Sequence, residues 1–351
     1  MSQESQELIV QPDELRAFSE TLYRKVGVPR DHAETMANFQ VETDLRGVYS
    51  HGTRAQPRYI QGILDGNINP TPRIEVVQEG PCIAVIEGDS ALGHLPSAMA
   101  MDMAVEKAKS MGIAGVGVRN AGHFGAAACY GMMAVRERLI GFAATSTSMR
   151  SVGAPGGATP VVGNVAFCYA LPAGKERPIV LDMACGISAW ERIKTMSMYG
   201  IPIPMDWMLT EDGEPTNDFD LGEVLKPAAG PKGYGIAMAL TTMAGPLIGG
   251  LMGCHKDGGA SEHFFMALNV SSFTDYDQYT EEVDRGIRTV KASKTVEGVD
   301  EVYLPGEIEW RNYESSIENG IPLHRDHLSV LAEAAEELGV EIFWDPGELD
   351  K

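Results

Sequence analysis

GIAGVGVRNAGHFG, residues 112–125, reads as a buried strand rich in glycine and valine that runs into a loop and then a helix. At such a junction a Rossmann fold carries G-x-G-x-x-G against a pyrophosphate. Here Gly115, Gly117 and Gly122 are spaced differently, and they start inside the strand rather than after it. The second glycine-rich helix start, GPKGYG (230–235), has no good strand before it and no Ser or Thr after Lys232, so it is no P-loop. A dinucleotide on this chain would be held without the usual fold.

The alternation continues on both sides. CIAVIEGD (82–89) is a strand and turn, and Pro96 opens a helix that runs to Ser110. GAAACYGMMAVRER (125–138) is a helix and LIGFAATST (139–147) a third strand. A glycine- and proline-rich loop follows at 151–164, then the strands VAFCYALP (165–172) and PIVLDMA (178–184) and a helix over 187–199. Residues 205–218 are turn-rich, with Asp212-Gly213 marking a hairpin. The most apolar helix spans about 233–252, EHFFMALNV (262–270) is a strand, 275–293 a polar helix and 301–304 a short strand. Strands alternating with helices place the chain in the mixed α/β class. No internal repeat, coiled coil or low-complexity tract is present.

Both ends are helical. Leu15, Phe18, Leu22 and Val26 give 12–26 one apolar face, and Ala33, Met36, Phe39 and Val41 do the same for 31–45, with Asp31 as N-cap. A third helix carries Tyr59, Ile60, Ile63 and Leu64 and ends at Gly66, before the breaker run to Pro72. Helices at about 306–318 and 325–338 close the chain. Between the second and third helices lies the turn GVYSHG (47–52), in which Gly52 permits a tight bend and Ser50 or Thr53 is placed to cap the next helix. His51 then projects beside a helix N-terminus, whose dipole disfavours imidazolium and keeps the ring neutral at pH 7. Two readings are open: an imidazole that exchanges a proton with a substrate oxygen, or one that only satisfies a turn carbonyl.

Composition narrows the function. Forty-nine acids against 28 Lys and Arg give a net charge of −21, with no run of basic residues, which argues against nucleic acid and anionic membrane as partners. No apolar run reaches the roughly 18 residues that span a bilayer, and the polar, acidic N-terminus is no signal peptide. Five cysteines at wide spacings, without C-x-x-C, read as reduced thiols in the cytoplasm rather than a disulfide frame or zinc site. The expectation is a cytoplasmic, metal-free enzyme acting on a small molecule.

Three further positions stand out. His123, in the loop Asn120-Ala121-Gly122-His123-Phe124-Gly125, meets an anion or ring or merely opens a capped helix. Asp182, at the end of PIVLDMA, orients an imidazole, takes a ribose hydroxyl or closes an Asx turn. Lys232, at a helix N-terminus, is a phosphate donor or a solvated lysine.

Taken together, RGVYSHG (46–52), PRY (57–59), NAGHFG (120–125), LDMA (181–184), GPKGYG (230–235), HFFMALNV (263–270) and LPGE (304–307) resemble the malate/L-lactate dehydrogenase family that lacks a Rossmann fold. The resemblance runs over nearly the whole chain. It implies a non-Rossmann NAD(P)-binding domain with a mixed sheet at 73–304, and a helical domain made of 1–72 joined by about 305–351. It also implies a homodimer with the active site between domains, near the partner subunit. By similarity His51 is the proton donor or acceptor at the substrate oxygen or imine nitrogen, with Ser50 beside it. Asp182 orients that histidine or touches cofactor, and His123 lines the nicotinamide–substrate pocket. Ile179, Val180, Leu181, Asp182, Met183 and Ala184, then Pro231 and Lys232, then Gly306 and Glu307, hold NAD or NADP. The function implied is hydride transfer between nicotinamide and a small hydroxy or oxo compound. The alternatives are reduction of a cyclic imine or a non-carboxylate substrate, or a scaffold that has lost redox activity.

Departures from the family fall on the same site. Members usually carry SHG-x-x-R, with the arginine offered to a substrate carboxylate; here that position is Ala55, with Arg54 adjacent and Arg58 further on. Arg150 is a candidate replacement anchor. The family's G-T-N-P turn reads Gly163-Asn164-Val165-Ala166, its Gly-Lys reads Glu191-Arg192, and an acid common on the helix after the K-G segment is replaced in the run Thr241-Thr242-Met243.

Overall fold

The computed structural model describes residues 7–147, 149–198, 200–255, 260–345 and 347. A strand, β1 (Glu7–Val10), leads into α1 (Pro12–Lys25), α2 (Arg30–Leu45) and α3 (Gln56–Leu64). β2 (Glu75–Glu79), β3 (Ile83–Ala91), α4 (His94–Met111), β4 (Ile113–Ala121), α5 (Ala127–Arg136) and β5 (Leu139–Ser146) follow. Next come β6 (Arg150–Gly153), β7 (Pro160–Gly163), β8 (Ala166–Leu171), β9 (Ile179–Ala184) and α6 (Trp190–Met198). The short strands β10 (Met208–Leu209), β11 (Pro215–Thr216) and β12 (Val224–Leu225) precede α7 (Pro231–Met243) and β13 (Ser261–Asn269). α8 (Tyr276–Lys291), α9 (Glu307–Asn319), β14 (Ile321–His324) and α10 (Arg325–Leu338) complete the elements.

The main sheet has seven strands in the order β2-β3-β4-β13-β5-β8-β9. Only β3 and β4 run parallel; β13 enters antiparallel between β4 and β5 and pairs with both. That insertion rules out the parallel, doubly wound order of a Rossmann domain. α4 lies on this sheet through Ala100, Ala104 and Ala108, all without exposure, so small side chains at i, i+4, i+8 let the helix settle close to Val116, Val118 and Phe265. A second core joins α1, α2 and α3 to Ile321, Leu323, Leu328 and Leu331 from the far end of the chain. β1 and β14 fasten those ends, with Glu7 opposite His324 and Val10 opposite Ile321. A third core forms around Val152, Phe167, Met208 and Leu240, beneath a five-stranded sheet ordered β11-β10-β12-β6-β7. Among the described residues no helix is long and apolar enough to cross a membrane.

Several local expectations change. β6 and β7 occupy part of the 150–164 segment expected to be a loop, and β1, β2, β12 and β14 were not foreseen. Residues 301–304 form no strand; they are held by ion pairs from Glu301 to Lys291 and Arg311. α7 stops at Met243 rather than near 252, because Gly245 and Pro246 open a separate 3₁₀ turn. Asp31 lies in the first turn of α2, whose N-cap is Pro29. Neither Ser50 nor Thr53 caps α3, whose N-cap is Ala55 without a side-chain bond. The hairpin at Asp212-Gly213 forms as expected, between β10 and β11.

Candidate active site

His51 ends a 3₁₀ turn, Tyr49–His51, and a second one, Thr53–Ala55, leads directly into α3. Ser50 Oγ sits 2.8 Å from His51 Nδ1, the neighbour that the sequence placed beside it. The ring of His123 faces that of His51, with centroids 5.5 Å apart. His123 is carried by the loop after β4, so the sheet and the helical end of the chain each supply one imidazole.

The hydrogen bonds assign the tautomer of His123. Gly125 N–H donates to its Nδ1 at 3.3 Å, and the Tyr59 hydroxyl lies 2.6 Å from the same atom. An Nδ1 that accepts leaves the proton of the neutral ring on Nε2. Behind the loop, His263 Nε2–H donates to the Gly122 carbonyl at 3.0 Å, and its ring stacks on Phe124 at 4.6 Å. His94 packs edge-on against Tyr59.

Electrostatics keep this cluster uncharged. Burial, then the charge of Arg58, push His51 down to about 4, while Glu191 pulls weakly the other way. Burial, then His51 and Arg58, hold His123 well below the usual histidine range. His94 is pushed to about 3, first by burial and then by His263 and His51. Neutrality of His51 therefore comes from desolvation and a guanidinium rather than from a helix dipole. His51 is half-buried and keeps some access to solvent.

The arginines separate clearly. Arg58, on α3, reaches over the ring of Tyr59, 5.4 Å from its centroid, and is the guanidinium felt by both histidines. Arg54 points its charge at His327 instead, and Arg150 donates to the Cys254 carbonyl at 3.2 Å. Neither is brought to the histidine pair. Ala55 is buried.

Asp182 does not reach His51. Its Oδ2 accepts the Ala128 amide at 2.7 Å, at the start of α5, and thereby ties β9 to the His123 loop. Burial raises its carboxyl to about 6 although the side chain opens to solvent, as for His51. The segments expected to hold a dinucleotide converge on β9. Val180 N–H bonds the Pro305 carbonyl at 3.0 Å, and a Cβ on Gly306 would lie 2.8 Å from the Val180 oxygen. At the other end of the strand Ala228 N–H bonds the Cys185 carbonyl, and Gly233 N–H bonds Ala228, so Pro231 and Lys232 begin α7 just beyond β9. Lys232 is exposed, with no ion pair among the described residues. The positive side chain of Lys232 at a helix start suits a diphosphate, and Gly306 is glycine because its backbone lies against Val180 of β9. The residues present fit the group. Glu307 differs: its carboxylate is taken by Lys291, Arg311 and the Leu304 amide, so it supports this loop from behind.

Other contributors were invisible to local pattern. Thr53 binds both Asp44 and His327, Gln40 donates to the Gly52 carbonyl, and Asn164 bonds the Gly186 amide and the Ser188 carbonyl beyond β9. The departure at 163–166 is thus a fastening of the strand end.

Residues 10–332 match the malate/L-lactate dehydrogenase family. The chain is 32% identical to malate dehydrogenase of Pyrococcus abyssi over 345 residues, 94% of each protein. It is 34% identical to L-sulfolactate dehydrogenase of Methanocaldococcus jannaschii over 346 residues, 95% of this chain and 98% of that one. The solved malate dehydrogenase of Pyrococcus horikoshii superposes with a TM-score of 0.88 at 30% identity, covering 97% of this chain and 98% of the other. The chain belongs to the malate/L-lactate dehydrogenase family and is a nicotinamide-dependent oxidoreductase.

Proposed function

We propose that this enzyme transfers hydride between NAD or NADP and a small hydroxy or oxo acid, with His51 exchanging the proton at the substrate oxygen. The observation that carries the reading is the pair of neutral imidazoles, His51 and His123, 5.5 Å apart with the Arg58 guanidinium beside them. When bound, the nicotinamide supplies or accepts the hydride. His123, with its proton on Nε2, donates a hydrogen bond to the reacting oxygen. His51, unprotonated at neutral pH, accepts the hydroxyl proton in the oxidation direction. For reduction it must first be protonated. A substrate carboxylate on Arg58 favours that, because it cancels the charge that is the second cause of the low His51 value.

Ile179–Ala184, Pro231, Lys232 and Gly306 are the residues we assign to the dinucleotide, and Asp182 joins that segment to the His123 loop. The helical part is 1–72 with 305–351, and 73–304 carries the cofactor; the core shared by both chain ends supports this division. A homodimer is supported by α7, whose exposed side presents Gly235, Ile236, Ala239 and Thr242, with Leu247 and Leu251 following.

The test is His51→Gln. Turnover of NADH or NADPH with a panel of 2-oxo acids should fall by about a thousandfold, in the range of lost general acid–base catalysis, while thermal protection by the cofactor is kept. Undiminished turnover would remove His51 from the reaction. No protection of the native enzyme by either dinucleotide would overturn the cofactor assignment.

A further inference from the structure

The turn that bears His51 is held from beneath by two side chains of α2. Gln40 Nε2–H donates to the Gly52 carbonyl at 3.0 Å, and the Thr53 amide donates to Asp44 Oδ2 at 3.0 Å. That carbonyl and that amide belong to one peptide unit, the one joining Gly52 to Thr53, one residue beyond His51. Gln40 and Asp44 stand one helical turn apart on one face of α2, so each takes one end of the unit. Both are fully buried. Thr53 Oγ–H adds a second bond to Asp44 Oδ2 at 2.6 Å, and His327 Nε2–H donates to Thr53 Oγ at 2.9 Å. Tyr23 in turn donates its hydroxyl to Gln40 Oε1 at 2.8 Å, which orients the amide.

This arrangement is expensive. Asp44 has no cationic partner among the described residues, and its Oδ1 has no hydrogen-bond partner. Burial lifts its carboxyl to about 7, against the pull of the two Thr53 bonds. An apolar side chain here would spare the fold an uncompensated polar group. Asp44 also dictates its neighbour: a Cβ on Gly52 would fall 1.8 Å from Asp44 Oδ1. Gly52 has φ −87°, which any residue adopts, so close approach of the carboxyl is what requires glycine.

We propose that Gln40 and Asp44 are positioning residues for His51, fixing the Gly52–Thr53 peptide at the end of its turn and so limiting the directions in which the imidazole stands. The proposal rests on His51 being the proton-exchanging group. Fixing one peptide plane removes the backbone freedom through which the ring would otherwise swing, and an error of about 1 Å at such a group can cost about a hundredfold in rate.

Carbethoxylation of His51 by diethyl pyrocarbonate, read by peptide mass spectrometry across pH, tests this without a substrate. In the native enzyme His51 is expected to label with a midpoint far below 6.5, near the value of about 4 to which burial and Arg58 push it. In Asp44→Asn and in Gln40→Met, water reaches the loosened turn and the midpoint moves toward the ordinary value of about 6.5. Thr53→Ser, which keeps the hydroxyl, restores native labelling, whereas Thr53→Val does not. An unchanged midpoint in the variants, whatever their melting temperatures, overturns the proposal. If Asp44→Asn fails to fold, Gln40→Met and Thr53→Val decide. Carbethoxylated His51 that still supports NADH-dependent reduction of oxaloacetate defeats the assigned role of the ring, a failure separate from that of the clasp.

Discussion

The phenol of Tyr59 stands 2.6 Å from Nδ1 of His123, and the amide of Gly125 points at the same nitrogen. Tyr59 is thereby the side chain that settles which nitrogen of His123 holds the proton. Tyr59→Phe leaves only the longer amide bond. Turnover should drop about tenfold with little change in KM, and stability by roughly 1 kcal/mol, the usual net value of one hydrogen bond. Steady-state kinetics and urea unfolding of the variant check both.

Arg58 and Arg54 lie four residues apart in sequence and serve different neighbours. Arg58→Gln should lower kcat/KM for an anionic substrate about a hundredfold, as expected for a lost charge-assisted bond, and raise the His51 midpoint. Arg54→Gln should leave both nearly native. Equal losses in the two variants would show that the anchor has been misassigned.

Stability should depend on pH through the buried histidines. Burial pushes His51, His94 and His327 down to about 4, 3 and 3, all below the ordinary histidine value of about 6.5. Below about 6.5 the unfolded chain binds protons that the native chain refuses, so their contribution is complete above that pH and is lost as pH falls. Asp44 acts with the opposite sign: raised from 3.8 to about 7, it favours folding at low pH and loses that contribution as pH rises. With His123 also held low, four histidines outweigh the raised carboxyls of Asp44, Asp182 and Asp102, and the enzyme should weaken between about pH 6.5 and 4. His327→Gln should make that slope shallower by about 1.4 kcal/mol per pH unit, measured by urea unfolding at several pH values.

Two glycines should respond in opposite directions. Gly52→Ala forces a methyl group onto the Asp44 carboxyl and should cost about 2–3 kcal/mol together with most activity. Gly286→Ala, in the exposed interior of α8 with nothing within 4 Å, should stabilise by roughly 0.5–1 kcal/mol. Thermal unfolding separates the two.

Much of this architecture could be read along the chain. β3, β4 and β5 each open on a run of apolar and glycine residues, and α8 and α10 carry helical periodicity, because each is specified by its own residues. β1 and β14 were illegible, since four residues each mean little until they meet across the whole chain. The interruption of the sheet by β13 was equally hidden: HFFMALNV declares a strand but not its direction or neighbours. His51 and His123 sit in conspicuous turns, and the structure brings their rings together. Arg54 and Arg150 were candidates by proximity; the charge of Arg54 is felt by His327, and Arg150, at the start of β6, donates to the Cys254 carbonyl. Gln40, Asp44 and His327 left no local sign, as their meaning lies in partners on other elements.

His327 belongs to α10, yet it bonds Thr53 in the turn after His51. During synthesis the turn is made 274 residues before this support. A nascent chain halted before α10 would therefore carry His51 and His123 without the bond from His327 to the turn that follows His51.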